Sequence, residues 1–219
     1  MMKLMLKNMV FVILFFSALL IAQDSNDLIS FHYGFIGQEA DNPDSLFLVE
    51  DGSVLNSGDG LKLNFEFEKG TFSYVAHLSS KEEYALLYSS SSQEETEKTD
   101  AIFTTLGWKI LDNKTGDEVF FLLSSSDRLL KLENLFDKHN QAKGKSRRKF
   151  SKRIASELRD LEKIDDTKKS SQLVQRLEKP VMGGVTFRGF TEGLVMEQNL
   201  THRSESEKRA VAVFRIQHK

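Results

Sequence analysis

The most concentrated chemical feature of the sequence is a run of basic side chains between residues 143 and 153. Lys143 opens the run, and the candidate interaction residues follow it: Lys145, Arg147, Arg148, Lys149, Lys152 and Arg153. Clustered cations bind anions, so anionic lipid headgroups, a polyanion or an acidic protein are candidate partners. A simpler interpretation is a solvated helix end balanced by nearby acids: Glu157, Asp160 and Glu162. The formal net charge of −2 gives no overall attraction to nucleic acid, so no nucleic-acid partner is expected.

No arrangement typical of an enzyme or a metal site accompanies this run. The chain has no cysteine, which excludes disulfides, thiolate metal sites and cysteine nucleophiles. The five histidines show neither His-x-His nor His-Glu-x-x-His spacing, and we expect them at the surface: His32, His77, His139, His202 and His218. A Gly-x-Ser-x-Gly elbow, a Walker loop and a dinucleotide-binding glycine pattern are also missing. We therefore expect no catalytic residue, no cofactor and no metal. A hydrolase with a groove near His77, Asp117 and Glu118 is the enzymatic alternative.

The N-terminus predicts the compartment. Residues 1–22 combine Lys3 and Lys7 with an apolar stretch from Met9 to Ile21, which is typical of a secretory signal peptide cleaved after Ala22. This stretch is short for a membrane span, which needs about 20 residues. An uncleaved signal anchor is the alternative. We expect an exported protein, periplasmic or extracellular, with no transmembrane segment after cleavage.

The segment from residue 30 to 124 has the period of two that is typical of half-buried strands. The clearest strand is 61–67, and Lys69-Gly70 predicts a tight turn that joins it to 72–78 as a hairpin. Alternation in 72–78 places His77 toward solvent or a groove. Shorter strands are predicted at 31–36, 46–49 and 84–88, and a second hairpin at 102–110 and 119–123. Residues 119–123 are apolar throughout, which predicts a central strand buried on both faces beneath helices.

The period changes after residue 125. Ser126 is the predicted N-cap of a helix carrying Leu129 to Phe136, and a second helix is predicted from about Ser146. A short third helix around 173–177, strands at 185–190 and 210–216 and an acidic loop at 89–100 complete the pattern. The predicted fold is α+β and β-rich: an antiparallel β-sandwich or sheet, a helical insertion at about 127–179 and closing C-terminal strands. We expect residues 23–219 to form one domain.

Several short blocks resemble one bacterial family. Ser57-Gly58-Asp59 precedes an alternating strand, Phe72-Ser73-Tyr74 opens the next, and 84–88 follows as a third. Trp108 then leads to Gly116-Asp117-Glu118 and an apolar strand. In this order the blocks at about residues 56–135 resemble the family catalogued as domain of unknown function 4384. Asp117 stands where that family usually has threonine, and the flanking prolines are missing.

The resemblance implies an accessory binding or sensing domain, since such domains occur in exported proteins and beside caspase-like peptidase or kinase domains. It implies no catalytic residues. We therefore expect a non-enzymatic exported module that binds an unidentified protein or cell-envelope component. A module that binds an envelope or polyanion surface through the basic residues is the alternative. Trp108 is expected to pack against the sheet rather than to stack on a ligand.

Overall fold

The computed structural model describes residues 28–90, 101–163, 169–172 and 200–219. These residues form two packed β-sheets, with a pair of helices on the outer face of one of them. The prediction of an α+β, β-rich sandwich with an inserted helical segment is therefore confirmed. The predicted signal peptide, most of the acidic loop, the third helix around 173–177 and the strand at 185–190 lie outside the described residues.

The described strands and helices follow one another in this order: β1 (Ile29–Glu39), β2 (Asn42–Val49), β3 (Val54–Leu55), β4 (Gly60–Glu68), β5 (Phe72–Leu78), β6 (Tyr84–Ser89), β7 (Ala101–Ile110), β8 (Gly116–Ser125), α1 (Leu130–Gln141), α2 (Gly144–Lys163), β9 (Lys169–Gln172), β10 (His202–Ser206) and β11 (Arg209–His218). Sheet A has the order β7-β4-β1-β10-β9, with β2 also paired to β1. Sheet B has the order β3-β11-β8-β5-β6, and its pairs are antiparallel except β3 with β11.

The main core lies between the two sheets and is rich in aromatic rings. Phe35 of sheet A stacks on Phe214 of sheet B with their ring centroids 4.0 Å apart, and its centroid lies 5.0 Å from that of Phe120. Alternate residues of β4, which are Leu61, Leu63, Phe65 and Phe67, enter the same core. Burial of apolar surface at about 25 cal/mol per Å² makes this core the main stabilising element of a chain without disulfides.

Both predicted hairpins are wrong, because the strands in question belong to different sheets. Strand β4 pairs with β1 and β7, whereas β5 pairs with β6 and β8. Strand β7 likewise belongs to sheet A and β8 to sheet B. The turn at Lys69-Gly70 thus carries the chain across the sandwich. A hairpin and such a crossing have the same alternating pattern on each strand, because both leave one face of each strand against a core.

The expectation for residues 119–123 is confirmed. Strand β8 lies between β11 and β5, and its side chains alternate between two apolar environments. Phe120 and Leu122 enter the core between the sheets, whereas Phe121 and Leu123 contact the helices. The central strand is therefore covered on both faces, as a continuous apolar run requires.

The two helices pack on sheet B through apolar stripes at helical spacing. Helix α2 buries Ile154, Leu158 and Leu161 against α1 and the sheet. Helix α1 begins later than predicted: its N-cap position is Leu129, with no side-chain cap, and Ser126 is exposed. The buried Tyr74 hydroxyl replaces the predicted cap as an anchor, since it accepts a 3.0 Å hydrogen bond from the Leu129 N–H. The helical segment is also shorter than 127–179, because 169–172 forms β9.

Candidate functional site

The Ser57-Gly58-Asp59 block forms a corner at one end of the sandwich. The Asp59 carboxylate accepts hydrogen bonds from the backbone N–H groups of Ala40 (3.1 Å) and Asn56 (2.8 Å). Gly58 has a φ of +95°, which favours glycine, and its N–H donates to the Leu111 carbonyl. The block therefore joins β3 and β4 to the end of β7, a structural role that fixes this end of the sandwich.

A buried charged cluster lies beside that corner, between the two sheets. His77 of β5 and Glu118 of β8 are each 4 % exposed, and the His77 Nε2 contacts the Glu118 carboxylate directly. Lys109 reaches across from sheet A, with its Nζ 3.0 Å from Glu118 Oε2 and 3.1 Å from His77 Nε2. The other carboxylate oxygen, Oε1, accepts a 3.1 Å hydrogen bond from the Ser80 N–H. The His77 ring stacks on Phe120 at a centroid distance of 4.6 Å.

The environment of this cluster fixes its protonation. Burial alone would raise the pKa of Glu118, but the hydrogen bonds from His77, Ser80 and Lys109 outweigh it and hold that pKa well below its ordinary value. Burial lowers the pKa of His77, and the Lys109 ammonium acts in the same direction, against the effect of Glu118. At neutral pH Glu118 is therefore ionised and His77 neutral. Since an ionised carboxylate can only accept hydrogen bonds, the His77 proton lies on Nε2.

A cleft of about 320 Å³ opens above the cluster. One wall is the end of the sandwich, with Lys109 and Ile110 from β7 and Tyr84 from β6. The other wall is formed where the two helices meet, by Asn140 at the end of α1 and Arg147 in the first turn of α2; we call this wall the helix connection. The cleft therefore depends on the helix pair being docked on sheet B.

The geometry brings together only two of the three residues named for a hydrolase. His77 and Glu118 converge, and His77 is buried but lines the cleft, so of the two expected positions, solvent or a groove, the groove is correct. Asp117 is exposed, because neighbouring side chains of a strand alternate between its faces. The donors His77, Lys109 and Ser80 already occupy both oxygens of Glu118, and this leaves the carboxylate poorly placed to act as a base.

The expectation that the histidines are surface residues is wrong for three of the five. His77, His139 and His218 are buried, whereas His32 and His202 are half-buried. His139 Nε2 lies 3.1 Å from the Ser151 hydroxyl, between the helices, and His218 Nε2 lies 3.0 Å from the Ser57 hydroxyl. Within the described ranges, no group of three or more histidine, aspartate or glutamate residues has metal-binding geometry.

Helix α2 separates the basic residues into two groups. Residues of an α-helix follow one another at steps of about 100°. On this basis five of them form a stripe centred about 180° from the buried residues Ile154, Leu158 and Leu161. We call this stripe the cationic face: Lys145, Arg148, Lys149, Lys152 and Arg153. They line a shallow groove of about 450 Å³ together with Ser156. Arg147 instead lines the cleft.

The cationic face is not balanced by the acids that the simpler interpretation requires. None of its five residues forms an ion pair within the described part of the chain. Glu157 pairs with Lys131 of α1 instead. Arg159 and Lys163 continue the stripe toward the end of the helix, and Asp160 is the acid that lies within it by the same 100° steps. Unpaired like charges at i,i+4 repel, and a bound anion relieves that repulsion.

Trp108 and Lys109 lie next to each other on β7, and the sequence assigned a role to only one of them. Trp108 is half-buried on the sheet surface, where the Lys62 ammonium lies 5.7 Å from its ring centroid, as expected for packing rather than ligand stacking. Lys109 was not among the residues expected from the sequence. Arg147 was expected to share one surface with the other basic residues, whereas it lies apart from the cationic face. No local pattern marks either residue, because each becomes notable only when two distant segments meet.

Comparisons with known proteins leave these sites to be interpreted from the structure. No protein-family model matches the chain, and neither the curated proteins nor the solved structures compared with it gave a match. No helix within the described ranges is both long and apolar enough to cross a membrane. The resemblance to the domain of unknown function 4384 family stays a prediction.

Proposed function

We propose that this chain is an exported, non-enzymatic binding module that docks on an anionic membrane surface through the cationic face of α2. The observation that carries the proposal is the row of five basic side chains opposite the buried stripe, without an ion-pair partner in the described residues. Export rests on the signal-peptide pattern of residues 1–22. The resemblance to an accessory domain family also favours binding over catalysis.

The shape of the surface favours a flat partner. Helix α2 has 20 residues, and an α-helix of that length extends about 30 Å. Its apolar side is used to pack on the protein, which leaves none to insert among lipid chains, so attraction is electrostatic. Each basic residue near an anionic bilayer contributes roughly 1 kcal/mol, so five residues give weak, reversible association of roughly 5 kcal/mol.

The cluster of His77, Lys109 and Glu118 supports a non-enzymatic role. The carboxylate has its lone pairs engaged, and the described contacts of His77 include no hydroxyl that it could activate. An acidic protein surface is the other partner that the cationic face would fit.

Vesicle sedimentation tests the proposal with the protein lacking residues 1–22. Phosphatidylglycerol mixed with phosphatidylcholine should bind the protein, whereas phosphatidylcholine alone should not. Raising salt from 0.1 to 1 M, which shortens the Debye length from about 10 to about 3 Å, should release it. The triple variant Lys145→Glu, Lys149→Glu and Lys152→Glu should lose binding.

A matched control separates a docking face from net charge. The variant Lys69→Glu, Lys114→Glu and Lys208→Glu changes the charge by the same amount at exposed positions outside α2. It should keep most of the binding. Equal losses in the two triple variants would contradict the proposal, as would binding to soluble polyphosphate or an acidic protein without binding to vesicles.

A further inference from the structure

The cleft at the end of the sandwich has no part in membrane docking, since the cationic face lies on the other side of α2. Its volume of about 320 Å³ is at the lower end of the range for ligand pockets, roughly 300–1,000 Å³. It is formed by two separate structural layers, the sandwich end and the helix connection. These properties prompt the question of which ligand its walls would accept.

The buried cluster under the cleft offers donors and no free carboxylate; the other acids of the lining are Asp112, which pairs with Lys81, and Glu83. Glu118 accepts from His77, Lys109 and Ser80, so its oxygens are occupied. Lys109 is different: its side chain is 40 % exposed, and an ammonium has three N–H donors. Glu118 takes one, and the His77 ring, whose Nδ1 lies 3.5 Å from Nζ, can take a second. The third donor is available to a ligand in the cleft.

The opposite wall offers a second cation. Arg147 is exposed, lines the cleft, and has no ion-pair partner within the described residues. A guanidinium matches the geometry of a carboxylate, because two of its N–H groups can bond the two oxygens. A ligand carboxylate between Lys109 and Arg147 would thus join the two walls.

The charges and the apolar lining narrow the ligand class. Lys81 is paired with Asp112, and Lys109 with Glu118, so Arg147 and Glu83 are the remaining charged residues of the lining. Arg147 and Glu83 cancel, so the lining is neutral overall, and an anion is held there by the local N–H donors of Lys109 and Arg147. A neutral lining accommodates one negative charge more readily than the two of a phosphate. Ile110, which is 59 % exposed, supplies apolar surface beside Lys109.

We propose that the cleft binds a small organic monocarboxylate, with its carboxylate between Lys109 and Arg147 and its apolar body against Ile110. The ligand makes contacts with both the sandwich and the helix connection, so it stabilises the docked helix pair.

Titration followed by ¹H–¹⁵N NMR tests this assignment with benzoate as the probe and benzamide and inorganic phosphate as controls. Benzoate should shift the amide signals of the cleft, and benzamide should not. Arg147→Gln, at an exposed position, should weaken benzoate binding about tenfold or more, since it removes a bidentate charged contact. Lys109→Met should weaken it similarly, and Lys208→Gln at the far end of the sandwich should leave it unchanged.

Four results would overturn the proposal. They are no response to benzoate, equal responses to benzoate and benzamide, unchanged affinity in Arg147→Gln, and stronger binding of phosphate than of benzoate. Because the triple variant of the cationic face leaves the cleft intact, it should bind benzoate normally. Failure of membrane docking and failure of the cleft assignment are therefore separable.

Discussion

Replacing Glu118 by glutamine tests whether the buried cluster is held together by the carboxylate charge. The side chain is 5 % exposed, and glutamine has nearly the same shape, so the change removes charge and little volume. Hydrogen bonds to a charged group contribute about 1.5–3 kcal/mol each, against about 0.5–1.5 kcal/mol between neutral groups. Three bonds are affected, from His77, Lys109 and Ser80. Because Lys109 is 40 % exposed, its share is discounted for solvent screening, and we expect a loss of about 2 kcal/mol at pH 7.

The pH dependence gives this prediction its sign. The pKa of Glu118 is lower in the folded protein than its ordinary 4.5, so the folded state binds fewer protons than the unfolded state below that pH. The stabilisation is complete above pH 4.5 and is lost at about 1.4 kcal/mol per pH unit below it. The difference between wild type and Glu118→Gln should therefore shrink between pH 4.5 and 3.5.

Urea unfolding followed by tryptophan fluorescence and circular dichroism measures both quantities. Asp117→Asn is a matched control, because it makes the same chemical change at the exposed neighbouring position. It should alter the free energy of unfolding by less than about 0.5 kcal/mol. A loss below about 0.5 kcal/mol in Glu118→Gln, or a difference from wild type that stays constant down to pH 3.5, would refute the reasoning.

Three further predictions concern the framework. Tyr74→Phe removes a buried hydroxyl that donates a 2.8 Å hydrogen bond to Glu133, and it should lower the free energy of unfolding by about 2 kcal/mol. Burial raises the pKa of Tyr74 to about 12, and a pH titration of the variant should lack the phenol absorbance step of this residue. Ile154→Ala leaves a cavity under α2 and should cost about 2–5 kcal/mol in urea unfolding. Gly58→Ala places a side chain at a φ of +95° and should lower the free energy of unfolding by about 1–3 kcal/mol. Gly107→Ala is the control: its added Cβ would have no atom within 4 Å, so it should be nearly neutral. Equal losses in the two variants would contradict the argument.

Alternation predicted where the strands lie but not which sheet each belongs to. The alternation in 61–67 indicates that one face of this strand is buried. The same alternation results whether the next strand pairs with this one or belongs to the other sheet. Strand β5 illustrates a further limit. Its Tyr74 and Ala76 face the helices while Val75 and His77 face the other sheet, so both faces are buried. The sequence assigned only one of these faces to the core, since alternation within β5 does not signal that helices from a later part of the chain cover the other face.

The candidate sites were predictable to different degrees for a related reason. The basic run at 143–153 is local, so its composition is visible in the sequence, and helical spacing then predicts which members share a face. The cluster of His77, Lys109 and Glu118 combines three strands from two sheets. His77 lies 41 residues from Glu118 in the chain, and the register of β5 against β8 brings these two together. Lys109 reaches them only because the two sheets pack face to face.

The packing of α2 determines both proposed surfaces at once. Ile154 and Leu158 fix the rotation of the helix about its own axis by entering the core under sheet B. That rotation sends Lys149 and Lys152 outward and leaves Arg147 at the cleft. A rotation by one residue, about 100°, would remove Arg147 from the cleft and turn the cationic face along the protein surface. Ile154→Ala loosens the packing of the buried apolar side of α2 and should therefore weaken both vesicle and benzoate binding. Arg147→Gln should weaken benzoate binding alone.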